Sequence, residues 1–298
     1  MMQHHPPAAA ESPGPLPPRL LSESCGTRLR PLLSENPGPL PRCHPATGRG
    51  RFMQQRWPER LWIVRHGESR GNVARDAAQA ARLHRIETLA RDVDVPLSDR
   101  GEEQARALGR WFADQPPGER PEIVLASPYL RARQTAELMG TTPEALTFDE
   151  RLREKEFGIL DRLTRYGIAA EHPDQAELRK SLGKFYHRPP GGESWCDVIL
   201  RLRSALDTIC LHHAGERVMI VAHQVVVLCL RYLIERMTEE QILAIDREGD
   251  VANCSITEYA HQPGSGLVLR RYNFLAPLLE EGAPVTAEPD APAAAPAP

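Results

Sequence analysis

The chain has 298 residues, room for one large domain or two small ones, and with 41% hydrophobic and 26% charged residues it can build a packed soluble core. Its 37 basic and 40 acidic side chains leave a formal charge of −3, which offers no global attraction for nucleic acid or an anionic membrane surface, so any basic site is local. No apolar run approaches the roughly 20 residues of a membrane helix, and the amino terminus lacks the basic start and apolar stretch of a secretory signal.

Residues 1–56 carry eleven prolines and no sustained hydrophobic periodicity. Such a segment cannot bury enough apolar area to offset its ordering entropy. It reads as a disordered extension, or as the product of an upstream start codon with Met53 the true start. Leu61–Arg65 is a strand-like apolar run that ends in an arginine and is followed by His66 and Gly67. Ser98 can cap a helix whose apolar positions Ala105, Leu108, Trp111 and Phe112 recur at helical spacing. Ile123–Ala126 is a second strand, Tyr129–Met139 a helix ended by Gly140, and Leu146–Asp149 a short third strand. Ser194 caps a long helix striped by Trp195, Val198, Ile199, Leu202, Leu206 and Ile209, which Gly215 stops. Val218–Ala222 is another strand, ending at His223 and followed by a helix through Arg236. Ser255–Tyr259 and Val268–Tyr272 flank the turn "HQPGSG" as an antiparallel pair.

The folded domain is thus expected over residues 57–279, with the Pro/Ala-rich tail 280–298 outside it. Strands alternating with helices predict an α/β fold, a three-layer α/β/α sandwich around a mostly parallel sheet. Ligands of such sheets bind at the carboxyl ends of the strands. The six cysteines (Cys25, Cys43, Cys196, Cys210, Cys229, Cys254) show no CxxC spacing and read as the reduced thiols of a cytoplasmic protein.

Three strands end in residues that carry chemistry: Arg65-His66-Gly67, then Arg131 and Arg133 just after the second strand, then His223. Each alone has an ordinary structural explanation; their repetition at one edge of a parallel sheet does not. Phosphoryl transfer needs this set: arginine forks to neutralise the equatorial oxygens, an imidazole to attack phosphorus, and a carboxyl to protonate the leaving oxygen. Gly67 would let a phosphate approach the following backbone. The chain has no GxxxxGK[ST] loop, no GxGxxG after a strand and no HExxH. His212 and His213 are adjacent on a helix, about 100° apart, which makes a poor shared metal site.

"VRHGES" with Asn72, then "PLSDRGEEQA", "SPYLRARQTA", "LREKEFG", "PPGGES" and "VAH" occur in order over about residues 60–260. This set resembles the histidine phosphatase superfamily, the clan of phosphoglycerate mutase and acid phosphatases. The resemblance implies a phosphoglycerate mutase-like fold and a phosphomonoester hydrolase working through a phosphohistidine on His66. It makes Arg65 and Arg131 phosphate ligands, and His223 the second histidine, which holds the phosphate and its transition-state charge. Glu154, rather than Glu156, becomes the proton donor, and Ser69 and Asn72 contact phosphate or substrate. Arg133 goes to the solvated face. A small phosphorylated substrate is implied, without metal, organic cofactor, nucleic acid or membrane. A mutase that returns the phosphoryl group to a substrate oxygen, and a phosphate-binding regulatory protein without turnover, are the alternatives.

Two features depart from the family pattern: Gln224 stands where the family often has glycine, and residues 73–95 form an apparent insertion. Residues 158–192 are expected to form an excursion over the pocket whose basic excess suits an anionic substrate. With "SPYLRARQT", that excursion is similar to a broad-range acid phosphatase branch.

Overall fold

The runs Leu61–Val64 and Val218–Ala222 are too short for helices and have no polar side, so they suit strands covered on both faces. In the computed structural model, which describes residues 57–87 and 90–287, they are the central pair β1 (Arg60–Arg65) and β4 (Arg217–Ala222). Expectations for residues 1–56 and 288–298, Cys25 and Cys43 among them, lie outside the described residues.

Along the chain the other elements are α1 (Arg70–Ala80), α2 (Asp99–Asp114), β2 (Ile123–Ala126), α3 (Leu130–Leu138) and β3 (Leu146–Phe148). Then come α4 (Arg165–Glu171), α5 (Pro173–Tyr186) and α6 (Trp195–His212). After β4 follow α7 (Gln224–Ile234), α8 (Glu239–Glu248), β5 (Ile256–Gln262), β6 (Gly266–Phe274) and α9 (Ala276–Glu280). The sheet runs β3-β2-β4-β1-β5-β6. Its first four strands are parallel, and β5 and β6 join antiparallel to their neighbours.

Alternation along the central strands divides the core in two. Leu61, Ile63, Val218, Ile220 and Ala222 face α6 and α7, among Trp195, Leu202, Ile209, Val226 and Leu230. Trp62, Val64, Met219 and Val221 face α2 and α3, among Ala105, Leu108, Phe112, Ala132 and Ala136. The result is the expected three-layer sandwich. Ser98 caps α2 by accepting from the Gly101 N–H, and Ser194 and Asp197 form a reciprocal capping box on α6. The excursion is the helix pair α4–α5, and its neck closes on itself. The Ile159 N–H donates to the Pro190 carbonyl at 3.0 Å and the Glu193 N–H to the Glu156 carbonyl at 2.9 Å.

The domain does not stop at residue 279 as its composition suggested. Leu278 and Ala283 are buried, and the Gln104 amide donates to the Pro284 carbonyl and the Thr286 hydroxyl, both at 2.9 Å. The Asn253 N–H donates to the Thr286 carbonyl at 2.9 Å. Low apolar content hid this segment because polar bonds hold it. A chain ending at Glu280 is therefore expected to melt several degrees below one ending at Ala287, since it loses these bonds and strands the buried Gln104 amide. Thermal unfolding of the two truncations side by side checks this, and equal melting temperatures would mean residues 281–287 contribute nothing.

Candidate active site

The register of the parallel strands sets the site. Arg65 lies opposite Ala222 in the β1–β4 pair, and the His66 N–H continues the ladder to the Ala222 carbonyl at 2.9 Å. His66 and His223 therefore leave the same sheet edge side by side, ring centroids 5.0 Å apart. On the other side of β4, the Ser127 N–H donates to the Val221 carbonyl at 2.9 Å. This brings the Ser127 hydroxyl to 2.8 Å from His223 Nε2.

The tautomer of His66 follows from its neighbours. Nδ1 lies 2.7 Å from the Gly67 carbonyl, which can only accept, so Nδ1 carries the proton. Nε2 lies 3.3 Å from Arg131 Nε, which can only donate, so Nε2 presents its lone pair. Burial, then the charges of Arg131 and Arg65, hold the imidazole well below the ordinary histidine value. His223 is held down in the same direction, by burial first and then by Arg131 and His66.

His66, Ser69, Asn72, Arg131 and Glu154 line one open cleft of about 620 Å³, with Arg75, Asp92, Phe157, Asp161 and Arg162 also in its wall. Arg65 and His223 lie fully buried, outside the lining of that cleft. Arg65 Nη1 donates to the Val251 carbonyl at 2.5 Å. Glu154 is buried, with Oε2 at 4.0 Å from His223 Nδ1 and Oε1 accepting from the Lys155 N–H at 2.7 Å. Glu156 instead accepts from the Tyr129 hydroxyl at 2.9 Å, outside the cleft lining. Ser69 and Asn72 form the capping box of α1. The Asn72 Oδ1 serves Ser69 there, and both residues still line the cleft. Arg133 is exposed, over the Phe148 ring.

Gly67 also has a packing role that its sequence did not suggest. A Cβ there would stand 2.5 Å from the Gly101 carbonyl oxygen, and a Cβ on Gly101 would stand 1.9 Å from the Glu68 carbonyl oxygen. Both glycines let the start of α2 press against the loop that carries His66. Gln224, the departure after the second histidine, takes an ordinary helical first position and donates from Nε2 to Asp250 at 2.8 Å.

Two residues were missed from sequence. Ser127 follows β2 as His223 follows β4, so the strand-end argument applied to it as well. Asp92, which binds Arg131, carries no local signal.

A second cleft of about 470 Å³ adjoins the first and shares Arg75, Ile86, Phe157, Asp161 and Arg162 with it. Arg179 and His187 of the excursion line it, together with Lys155 from the segment before it. Lys155 is nine-tenths buried, and among the described residues its ammonium makes no hydrogen bond or salt bridge, only a contact with the Phe157 ring at 4.5 Å. Burial, then the charge of Arg179, pulls it down to about 8.

The family model of the histidine phosphatase superfamily (branch 1) matches residues 61–274. A probable phosphoglycerate mutase (GpmB) of Erwinia tasmaniensis is 31% identical over 205 residues, 68% of this chain and 85% of that protein. The fructose-2,6-bisphosphatase of Saccharomyces cerevisiae is 28% identical over 184 residues, 62% of this chain but 36% of that protein. Among solved structures, Bacillus stearothermophilus YhfR superposes with a TM-score of 0.59 at 25% identity, over 74% of this chain and 98% of that one. A mycobacterial glucosyl-3-phosphoglycerate phosphatase gives 0.56 at 25% identity, over 72% and 99%. Among the described residues no helix is long and apolar enough to cross a membrane, and no cluster of histidine, cysteine and carboxylate side chains could hold a metal ion.

The depressed Lys155 has a measurable consequence. Between about pH 8 and the ordinary lysine value of about 10.4, the unfolded chain holds a proton that the folded chain has lost, so stability rises with pH across that window. Lys155→Met is expected to be more stable than the parent at pH 7, by roughly 3 kcal/mol from the shift alone. The advantage should shrink toward pH 10. Denaturant unfolding of both proteins at the two pH values measures it, and an advantage independent of pH would sink the explanation.

Proposed function

The chain belongs to the histidine phosphatase superfamily, and on that premise we propose that it hydrolyses small phosphomonoesters through a phosphohistidine on His66. The observation that carries this reading is the unprotonated Nε2 of His66, turned toward Arg131 in the cleft that also holds Glu154. In the first step Nε2 attacks phosphorus and the ester P–O bond breaks, with Glu154 giving its proton to the departing oxygen. In the second, the Glu154 carboxylate takes a proton from water, whose oxygen attacks the phosphohistidine and releases phosphate and neutral His66. Arg131 and Arg65 offset the charge on the transferring group. His223 steadies it from beneath, while Ser69 and Asn72 hold the wall of α1 against it. The depressed imidazole supports this assignment: it is already neutral at pH 7, so no proton leaves it before attack.

Hydrolysis is preferred over phosphoryl return because the cleft is open. The Asp92 and Asp161 side chains at its wall are 45% and 47% exposed, so water can reach the intermediate, which a mutase must exclude. The names of the GpmB relatives favour the mutase reading. Phosphoryl exchange between glycerate phosphates without phosphate release would decide for it, and phosphate binding without either reaction would decide for a regulatory protein. A cytoplasmic location belongs to this proposal and rests on the free thiols of Cys196, Cys210, Cys229 and Cys254.

Brief mixing with an aryl phosphate followed by an alkaline quench, which preserves the acid-labile phosphohistidine, is expected to leave phosphate on His66. His66→Ala should abolish both trapping and turnover, and near-normal turnover in that variant would overturn the mechanism. Glu154→Gln should slow alkyl phosphates by about 10²–10⁴-fold. Aryl phosphates, whose leaving oxygen needs little protonation, should be slowed far less.

A further inference from the structure

Arg131 already holds an anion. Its Nη1 donates to Asp92 Oδ1 at 3.1 Å and its Nη2 to Asp92 Oδ2 at 3.2 Å, the two-pronged grip that arginine makes on a carboxylate or a phosphate. Nη1 also donates to the Asp92 carbonyl oxygen at 2.7 Å, and Nε faces His66. Four of the five guanidinium N–H groups are thereby engaged on the face where a phosphoryl group must sit for His66 to attack it.

We propose that Asp92 is an internal stand-in for phosphate: its carboxylate occupies the fork of Arg131, gives way to the substrate's phosphoryl group and returns when product phosphate leaves. The inference rests on the reading of His66 and Arg131 as nucleophile and phosphate ligand. The anchoring of the segment suits such an exchange. Asp92 opens a short 3-10 turn, Asp92–Asp94. Before it, the Ala90 carbonyl accepts from Arg162 Nη2 at 2.7 Å, and after it the Pro96 carbonyl accepts from the Arg70 N–H at 3.0 Å. The backbone is thus tied on both sides, while the side chain is 45% exposed and can swing into solvent. The carbonyl bond to Nη1 does not depend on the carboxylate, so Arg131 stays aimed when the carboxylate leaves. Substrate and product displace the same group, so Asp92 weakens both by one factor and limits product inhibition, leaving the chemical step unchanged.

The test uses the full-length protein with Asp92→Asn and Asp92→Ser, the serine variant standing in if the amide one misfolds. Competitive inhibition of aryl phosphate hydrolysis by inorganic phosphate and by vanadate is measured at pH 7, together with kcat and KM. Both inhibition constants should fall by about three- to tenfold, as expected for a half-exposed ion pair, with KM falling in step and kcat within twofold of the parent. Asp94→Asn is the control, because Asp94 pairs with the exposed Arg91; its constants should not move. Unchanged or weaker inhibition in both Asp92 variants, a fall in kcat that marks Asp92 as a mere prop for Arg131, or equal tightening in Asp94→Asn would each overturn the inference. If the parent neither turns over nor binds vanadate, the phosphatase reading itself fails, a result separate from these.

Discussion

The backbone hydrogen bond from the His66 N–H to the Ala222 carbonyl, 2.9 Å long, is the constraint on which the site depends. It is the rung just beyond the β1–β4 ladder, and it locks the residue after Arg65 to the residue before His223. The partner on the other side is equally fixed. The Cys254 N–H donates to the Arg65 carbonyl at 3.0 Å, and Asn253 Nδ2 donates to the His66 carbonyl at 2.9 Å. The backbone of His66 is thus held from β4 and from the entry to β5. Behind it, Gly67 and Gly101 bring α2 into backbone contact with the same loop. Positional precision of this kind replaces entropy that would otherwise be lost at each turnover.

Electrostatics then follow from burial. Burial comes first, and the guanidinium groups that both imidazoles face add to it, so both are held well below the ordinary histidine value even though Glu154 approaches His223 to 4.0 Å. A neutral imidazole is what attack on phosphorus requires. The same strand end that fixes the ring in space also fixes its protonation.

The central architecture was legible because its signals are local. The apolar runs of β1, β2 and β4 could only be buried strands, and Ser98 and Ser194 mark helix starts by capping chemistry alone. The site residues His66, Arg131, Glu154, Ser69 and Asn72 were reached through ordered motifs, and the structure gathers them in one cleft. What stayed hidden depends on distant partners. The segment through Thr286 docks on Gln104 and Asn253, more than thirty residues away or on the far side of the chain. α4 and α5 are polar enough that composition reads them as an excursion without fixing their helices. The packing role of Gly67 stayed hidden because its neighbour, Gly101, is brought near only by the tertiary fold.

A cleft lined by arginines must be stable on its own, and the chemistry of each cation decides how. Arginine cannot give up its proton inside a protein, so a buried guanidinium needs acceptors at all times. Arg65 takes the Val251 carbonyl, and Arg131 takes Asp92. Lysine has another course: Lys155, buried with no acceptor for its ammonium among the described residues, is drawn toward losing its proton instead. The carboxylate of Asp161 feels the opposite side of the same problem, held above its ordinary range by burial and then by the charge of Asp92. An acidic residue therefore enters this cleft because of the arginine itself: a permanent charge needs a permanent acceptor, which for Arg65 is a backbone carbonyl and for Arg131 the backbone carbonyl and half-exposed carboxylate of Asp92.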